Sequence, residues 1–256
     1  DLPDPEAPTM ATDSPDLISR LIPFSISSSL PAIGTRFRRF SALIMQRFLY
    51  RLVRMRLAIG LLLLGLSVVA RAGPPAILIL GDSISAAYGM SLEQGWVALL
   101  EEQLADSHPD YSVVNASISG ETTAGALRRL PALLAEHKPG VVVIELGGND
   151  GLRGFPIRNF RANLQAMAEM SRAADAEVLL LPMEIPPNYG SRYTASFRES
   201  YPLVAKATGS VLGPFILEGV ATDPTLMQAD GIHPTVEAQA IMLDTIFPAL
   251  AELLSP

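Results

Sequence analysis

The sequence predicts an α/β protein of three layers, in which helices cover both faces of a sheet of about five parallel strands. Short apolar runs rich in Val, Ile and Leu recur along the body of the chain, and longer segments of helical periodicity separate them. Apolar runs without polar alternation are typical of strands buried on both faces, as in parallel sheets. Strands that alternate with helices imply crossover connections and a layered α/β domain.

The predicted elements alternate from residue 76 to the end of the chain. The strands are expected at residues 76–80, 111–115, 141–146, 178–182 and 211–216. The helices are expected at residues 93–106, 123–136, 157–174, 192–208 and 235–254. The whole domain is expected to span residues 73–256, without internal repeats or low-complexity linkers.

Four polar segments follow predicted strands or precede the last helix. They are Gly81-Asp82-Ser83, the segment ending at Gly120, Gly147-Gly148-Asn149-Asp150, and Asp230-Gly231-Ile232-His233. In an open parallel sheet, ligands bind outside the carboxyl ends of the strands. We therefore expect the four segments to meet at one edge of the sheet.

Ser83 and His233 form a candidate nucleophile and base. A serine hydroxyl is a weak nucleophile until a base takes its proton. Asp230, three residues before His233, can accept a hydrogen bond from imidazole Nδ1 and leave Nε2 free to take that proton. The alternatives stay open at this point, since Ser83 can be a helix cap and His233 a surface residue beside a turn. The nucleophile elbow GxSxG of α/β-hydrolases is absent.

Attack on a carbonyl also needs donors for the oxyanion. The backbone N–H groups of Ser83 and Gly120 and the side-chain amide of Asn149 are the candidates. The segment around Asn149 can equally be an ordinary turn. A phosphate-binding loop is disfavoured because no Lys-Ser or Lys-Thr follows the glycines.

Composition excludes several other classes of function. The chain has no cysteine, which removes disulfides, thiol nucleophiles and zinc–thiolate sites. From residue 73 onward ten Lys and Arg stand against twenty-one Asp and Glu, a net charge of −11, which argues against a nucleic-acid partner. His108 and His137 have structural explanations in a polar turn and at a helix end. We expect no metal ion and no cofactor.

Residues 45–72 are predicted to be a secretory signal peptide. Four arginines precede an apolar run at 57–70, and the run ends in Ala70-Arg71-Ala72, a small-x-small cleavage pattern. The run has fourteen residues, fewer than the roughly 20 that span a bilayer. Cleavage after Ala72 would leave 184 residues in the periplasm or outside the cell; an uncleaved membrane anchor is the alternative.

Residues 1–44 are rich in Pro and Ser and do not fit a signal peptide. We expect this extension to be disordered or loosely helical. The expected start of translation is Met45 or Met55.

Taken together, the four segments resemble, in order, the four blocks of the SGNH (GDSL-type) hydrolases, and especially their bacterial periplasmic esterase and thioesterase group. The likeness runs from about residue 75 to the end. It implies a flavodoxin-like sheet and an acyl-enzyme on the serine. By this resemblance the triad is Ser83, His233 and Asp230, and the oxyanion hole is formed by Ser83, Gly120 and Asn149.

The expected function is therefore hydrolysis of carboxylic esters and acyl thioesters, with small acyl substrates that include lysophospholipids. The apolar loop after the fourth strand is a candidate wall for the acyl group, through Ile185, Pro187 and Tyr189, although it can also be a plain connection. A carbohydrate O-deacetylase and a non-catalytic acyl or lipid carrier are the rival readings. We expect a monomer that does not stay inserted in a membrane once the signal peptide is removed.

Overall fold

The computed structural model of the chain describes Arg54 and residues 75–254. The extension at residues 1–44 and, apart from Arg54, the signal peptide predicted at residues 45–72 lie outside the described residues. The division of the chain into these segments therefore stays a prediction.

Five parallel strands form one sheet in the order β2-β1-β3-β4-β5, which confirms the predicted fold class. Val, Ile and Leu dominate the central strands and are buried on both faces of the sheet, so that no polar alternation appears in their sequences. The strands are β1 (Ala76–Gly81), β2 (Ser112–Asn115), β3 (Val141–Glu145), β4 (Glu177–Leu181) and β5 (Val211–Leu212).

The position of the site follows from the strand order. After β1 the chain forms β2 on one side of it, and then crosses to form β3 on the other side. The register pairs Gly81 at the end of β1 with Glu145 at the end of β3. The connections that leave β1 and β3 therefore diverge, and a crevice opens between the carboxyl ends of these two strands.

Six α-helices lie within residues 75–254, and five of them pack in two groups. The helices α1 and α6 pack against each other, and α4 packs against both α2 and α5. Within residues 75–254 none of the helices is long and apolar enough to cross a membrane. The helices are α1 (Trp96–Ser107), α2 (Thr123–His137), α3 (Gly148–Leu152), α4 (Ile157–Ala173), α5 (Ser191–Thr208) and α6 (Ala238–Ala251).

One buried hydrogen bond joins the first helix to the last. The backbone N–H of Trp96 opens α1 and donates to Oε1 of Gln239 at 3.0 Å. Gln239 lies in the first turn of α6 and is buried, and its Nε2 donates to the Thr235 carbonyl at 3.0 Å. An N–H at a helix start has no partner within its own helix, so Gln239 satisfies a donor that would otherwise be buried without an acceptor.

The first predicted helix is divided at Gly95. The turn Leu92–Gln94 is a separate 3-10 helix, and the backbone N–H of Ser91 before it donates to Gln94 Oε1 at 3.0 Å. Gly95 then has extended backbone angles, with φ −76° and ψ 155°. A Cβ at Gly95 would lie 2.9 Å from Cβ of Ala87, so the chain needs glycine to pass this close to the turn after β1.

The end of the fifth strand and the start of the last helix also differ from the prediction. The strand ends at Leu212, although the Gly213 N–H still donates to the Leu180 carbonyl at 2.9 Å. The last helix was expected from residue 235, with Pro234 at its start. Pro234 instead forms an isolated antiparallel bridge with Met227, and α6 begins at Ala238.

Candidate active site

Three side chains distant in sequence form one hydrogen-bonded row at the edge of the sheet. Ser83 Oγ lies 2.9 Å from His233 Nε2, and His233 Nδ1 lies 2.7 Å from Asp230 Oδ2. Ser83 follows β1 directly, whereas the other two residues lie on the loop before α6. The arrangement is that of a hydroxyl nucleophile, a base and a carboxylate that orients the base.

The loop that carries Asp230 and His233 is a tight hairpin. The Gln228 N–H donates to the His233 carbonyl at 2.7 Å, and the Gly231 N–H donates to the Gln228 carbonyl at 2.9 Å. Gly231 has φ +66°, a left-handed conformation that favours glycine. This hairpin, together with the bridge between Met227 and Pro234, fixes the position of the imidazole.

Asp230 is held as a carboxylate by three hydrogen bonds. The His233 ring binds its Oδ2, and the backbone N–H groups of His233 and Ile232 donate to its Oδ1 at 3.0 and 2.9 Å. The bond to the His233 side chain is the main cause that lowers the pKa of Asp230 from 3.8 to about 2, and the two backbone bonds add to it. Asp230 is therefore negatively charged throughout the physiological pH range.

A compact turn presents Ser83. The Ala86 N–H donates to the Asp82 carbonyl, the Tyr88 N–H donates to the Ser83 carbonyl, and the Ile84 N–H donates to Asp82 Oδ1 at 3.1 Å. Ser83 does not cap a helix, the alternative that the sequence left open, because the segment after it is a succession of turns. Ser83 itself is partly exposed between buried neighbours, so its hydroxyl faces the crevice.

The predicted oxyanion donors Gly120 and Asn149 lie in the same cavity as Ser83. Gly120 has φ +78°, and Arg153 donates to its carbonyl at 3.1 Å. Within residues 75–254, the N–H groups of Ser83 and Gly120 donate to no protein acceptor. One hydrogen of the Asn149 amide is used by Asp82 Oδ2 at 3.0 Å, and the amide has a second hydrogen to donate.

Two carboxyl groups lie beneath the nucleophile, and sequence reasoning missed the role of both. Glu145 is fully buried; its Oε2 accepts the Ser85 hydroxyl at 2.7 Å and the Asp82 N–H at 3.4 Å. Burial raises the pKa of Asp82 to about 6, and burial with the neighbouring Asp82 charge raises the pKa of Glu145 well above its ordinary value. The two groups cannot both ionise easily, since each lies buried beside the other. Asp82 Oδ2 accepts from the Asn149 amide.

The segment that carries Asn149 is a short helix, α3. From the sequence, either an ordinary turn or a segment that supplies an oxyanion donor was expected here. Asp150 anchors it from below, because its carboxylate accepts the Thr123 N–H at 2.9 Å and the Thr123 hydroxyl at 2.6 Å. Gly147 precedes the helix with φ +123°, and a Cβ there would lie 2.4 Å from the Tyr201 hydroxyl. The bonds from Thr123 anchor the helix that carries Asn149, and the close approach of Tyr201 requires glycine at position 147.

The cavity in front of Ser83 has a volume of about 640 Å³. Its walls are largely apolar, and polar groups gather around Ser83. Besides the residues named above, the cavity is lined by Leu152, Met183, Ile185, Pro187, Phe215, Leu217, Met227 and Ile232. A cleft of this size and character suits a small, mostly apolar ligand with one reacting polar group.

Of the three residues predicted to line the acyl wall, the structure places two in the cavity. Ile185 and Pro187 line it, but Tyr189 does not. The Tyr189 hydroxyl donates to the Leu152 carbonyl at 2.8 Å, which directs the ring into a neighbouring groove between α4 and α5. Tyr189 therefore lies outside the lining of this cavity, and its contact with an acyl chain stays a prediction.

The other two histidines lie away from the cavity. His108 contacts the Ser107 hydroxyl and the edge of the Tyr111 ring, and His137 contacts Glu136. No cluster of three or more metal-ligating side chains occurs within the described part of the chain.

Comparison with known proteins identifies the family. Residues 79–241 match the model of the GDSL-like lipase/acylhydrolase family. The chain is 55% identical over 184 residues to the esterase TesA of Pseudomonas aeruginosa, which covers 72% of this chain and 92% of that protein. It is 45% identical, over 72% of this chain and 87% of that protein, to thioesterase 1/protease 1/lysophospholipase L1 of Escherichia coli K12.

A solved structure agrees in fold with the described domain. The psychrotrophic esterase EstA from Pseudoalteromonas sp., in a structure inhibited by monoethylphosphonate, has a TM-score of 0.67 and 45% identity. The match covers 69% of this chain and 97% of the esterase. The sheet order, the match over residues 79–241 and the close relatives lead to one conclusion: the chain belongs to the GDSL-like lipase/acylhydrolase family and is a carboxylic ester hydrolase.

Proposed function

We propose that the protein hydrolyses esters and thioesters of small acyl groups through an acyl-enzyme on Ser83. The observation that carries this proposal is the row from Ser83 Oγ through His233 to Asp230, with contacts of 2.9 and 2.7 Å, at the floor of an apolar cavity. A carrier protein would need the cavity but would have no use for an oriented base next to a hydroxyl.

In the acylation step, Ser83 Oγ forms a bond to the acyl carbon while its proton passes to His233 Nε2. The carbonyl oxygen becomes an oxyanion, and the donors for it are the N–H groups of Ser83 and Gly120 and the free Asn149 amide hydrogen. The C–O or C–S bond to the leaving group then breaks, and Nε2 gives its proton to the departing alcohol or thiol. Each oxyanion donor is worth about 2.7–4 kcal/mol of transition-state stabilisation.

In the deacylation step, water replaces the leaving group. Nε2 takes a proton from the water as its oxygen attacks the acyl carbon, and the same donors hold the second oxyanion. The bond from the acyl carbon to Ser83 Oγ breaks, Oγ recovers the proton from Nε2, and a carboxylic acid is released. Asp230 remains ionised in both steps and stabilises the imidazolium that forms twice.

The substrate class follows from the walls of the cavity and from the relatives. Ile185, Pro187, Phe215 and Leu217 provide an apolar surface for an acyl chain, and about 640 Å³ is more than an acetyl group needs. The relatives carry the names esterase, thioesterase and lysophospholipase. We infer that acyl esters, acyl thioesters and lysophospholipids are the substrates of this protein.

The experiment is hydrolysis of chromogenic esters of graded chain length, with a matched series of thioesters followed by thiol release. We expect turnover in both series, and Ser83→Ala should abolish it while leaving the unfolding midpoint unchanged. An organophosphonate should add one adduct per chain, and peptide mapping should place it on Ser83. Activity retained in Ser83→Ala, or an adduct elsewhere, would refute the assignment of the nucleophile.

We also infer that the enzyme is exported and acts as a monomer. The basic and apolar pattern of residues 45–72 supports export to the periplasm or beyond. N-terminal sequencing of the secreted protein should find the chain beginning at Gly73, and light scattering should give the mass of one chain. An intact residue 45–72 segment in the membrane fraction would contradict the cleavage.

A further inference from the structure

A tyrosine ring lies flat against the imidazole of His233. The centroids of the Tyr88 and His233 rings are 4.1 Å apart, and the ring planes make an angle of 30°. Tyr88 is 48% exposed and lines the cavity, whereas the largest aromatic residues of the domain, such as Trp96 and Tyr201, are fully buried. Core packing therefore does not explain why an aromatic ring stands at this position.

The backbone of Tyr88 is tied to the loop that carries the histidine. Gln228 Nε2 donates to the Tyr88 carbonyl at 2.8 Å and to the Pro234 carbonyl at 2.9 Å. Gly89, with φ +80°, leaves room for this amide, since a Cβ there would lie 2.4 Å from Gln228 Oε1. One glutamine thus joins the turn after Ser83 to the hairpin of His233, and it sets the Tyr88 ring opposite the imidazole.

Two hydrogen bonds, to Asp230 and to Ser83, hold the nitrogens of the His233 imidazole, but neither of them contacts a face of the ring. The Tyr88 ring packs against one face and so opposes a tilt of the imidazole out of the row. The face of an aromatic ring is also electronegative, so it stabilises the positive imidazolium more than the neutral imidazole.

We propose that Tyr88 is a positioning residue for the reaction, which holds the imidazole of His233 in the plane of the Ser83–Asp230 row and stabilises the imidazolium formed in each step. This inference rests on the proposed role of His233 as the base. Tyr88 acts through its ring rather than through its hydroxyl, because the contact is between ring faces.

The other charged groups that face His233 are accounted for. Asp230 binds Nδ1 on the same loop, and the Asp82 carboxyl interacts with the histidine charge from the turn after β1. Glu184 lines the cavity but forms a bidentate pair with Arg198. All of these remain in a Tyr88 variant, so a change in pH dependence reports the loss of the ring.

The experiment compares Tyr88→Leu with Tyr88→Phe, using kcat and KM for a neutral ester across the pH range. Tyr88→Leu should lower kcat/KM by about 2- to 12-fold, mainly through kcat, as expected for one aromatic pair. The acid limb of its pH profile should move to lower pH by about 0.4–0.7, because the protonated base has lost a stabilising contact. Tyr88→Phe should stay within about twofold of the wild type.

The chain offers a matched control, because Tyr111 and His108 form a second tyrosine–histidine pair, edge to face at 6.3 Å, outside the cavity. Tyr111→Leu should leave the pH profile unchanged. An unmoved acid limb in Tyr88→Leu, or a rise in KM alone, would overturn the proposal, as would a loss in Tyr88→Phe equal to that in Tyr88→Leu. The proposed function is judged separately, by whether Ser83→Ala is inactive on the same ester.

Discussion

Replacement of Asp82 by Asn separates what this residue does for stability from what it does for activity. Asp82 is buried, and its two oxygens accept from the Ile84 N–H and from the Asn149 amide. Asn has the same size but only one acceptor oxygen. In Asp82→Asn, either the Ile84 N–H or the Asn149 amide therefore loses its acceptor. If the NH₂ group of the new asparagine side chain faces the Asn149 amide, two donors meet and the Asn149 side chain turns away.

The effect on stability follows from the raised pKa of Asp82. Burial is the main cause that raises this pKa from 3.8 to about 6 in the folded protein, a difference equivalent to about 3 kcal/mol. Because the folded pKa is the higher one, the contribution of Asp82 to stability is greatest below pH 3.8 and is lost as the pH rises through 6. Asn does not ionise, so above pH 6 the free energy of unfolding of Asp82→Asn should exceed that of the wild type by up to about 3 kcal/mol. The lost hydrogen bond lowers this gain by about 1 kcal/mol.

The effect on activity has the opposite sign. Loss of one oxyanion donor lowers kcat by about 10²–10³-fold, and an Asn149 that is misdirected rather than removed should lose part of this. We expect kcat of Asp82→Asn to fall by about 10- to 100-fold, with little change in KM because the walls of the cavity are untouched.

The assay combines urea unfolding at pH values on both sides of 6 with ester hydrolysis at the higher pH. Asp244→Asn, an exposed carboxylate on α6, is the control and should alter neither measurement. The reasoning is refuted if Asp82→Asn unfolds with the same pH dependence as the wild type, or if it keeps the kcat of the wild type.

Three further predictions concern other parts of the site. Asp230→Asn should lower kcat by at least about 10²-fold without unfolding the protein; because the pKa of Asp230 is about 2, the acid limb of the wild-type activity profile should lie well above that pH. Gly147→Ala should destabilise the protein by about 2–4 kcal/mol in urea unfolding, since φ is +123° and the new Cβ meets Tyr201; a stable variant would contradict the strain. Ile185→Trp should reduce turnover of long-chain esters relative to short-chain esters, whereas Tyr189→Trp should leave that ratio unchanged, because of these two residues only Ile185 lines the cavity. An equal shift in both variants would show that Tyr189 contacts the acyl chain.

The architecture could be predicted because its signals are local and repeated. Buried parallel strands such as β1 and β3 consist almost wholly of Val, Ile and Leu, and the polar segments after them had to meet at one edge of the sheet. The pairing of Asp230 with His233 was visible from a spacing of three residues. The bounds were less certain, as at β5, which ends at Leu212 although hydropathy alone extended the strand to residue 216.

The supporting contacts of the site could not be predicted, because they join residues whose separation in sequence carries no pattern. Nothing in the sequence relates Asp82 to Glu145, 63 residues away, or Gln228 to Tyr88, 140 residues away. Burial raises the pKa of Asp82 and of Glu145. An apolar run in the sequence does not show that a carboxyl group next to it or within it is buried. The position of the Tyr189 ring could not be predicted for the same reason, since it depends on the bond from its hydroxyl to the Leu152 carbonyl, 37 residues away in sequence.

The bond from the Trp96 N–H to Gln239 has a consequence for the order in which the protein matures. Ser83 is made near the beginning of the domain, but His233 and the helix α6 that follows it are made near the end, with 150 residues from Ser83 to His233. A chain on the ribosome that still lacks residues 230–254 has Ser83 without His233, so the hydrogen-bonded row cannot form. The row can be complete only after nearly the whole domain has been synthesised.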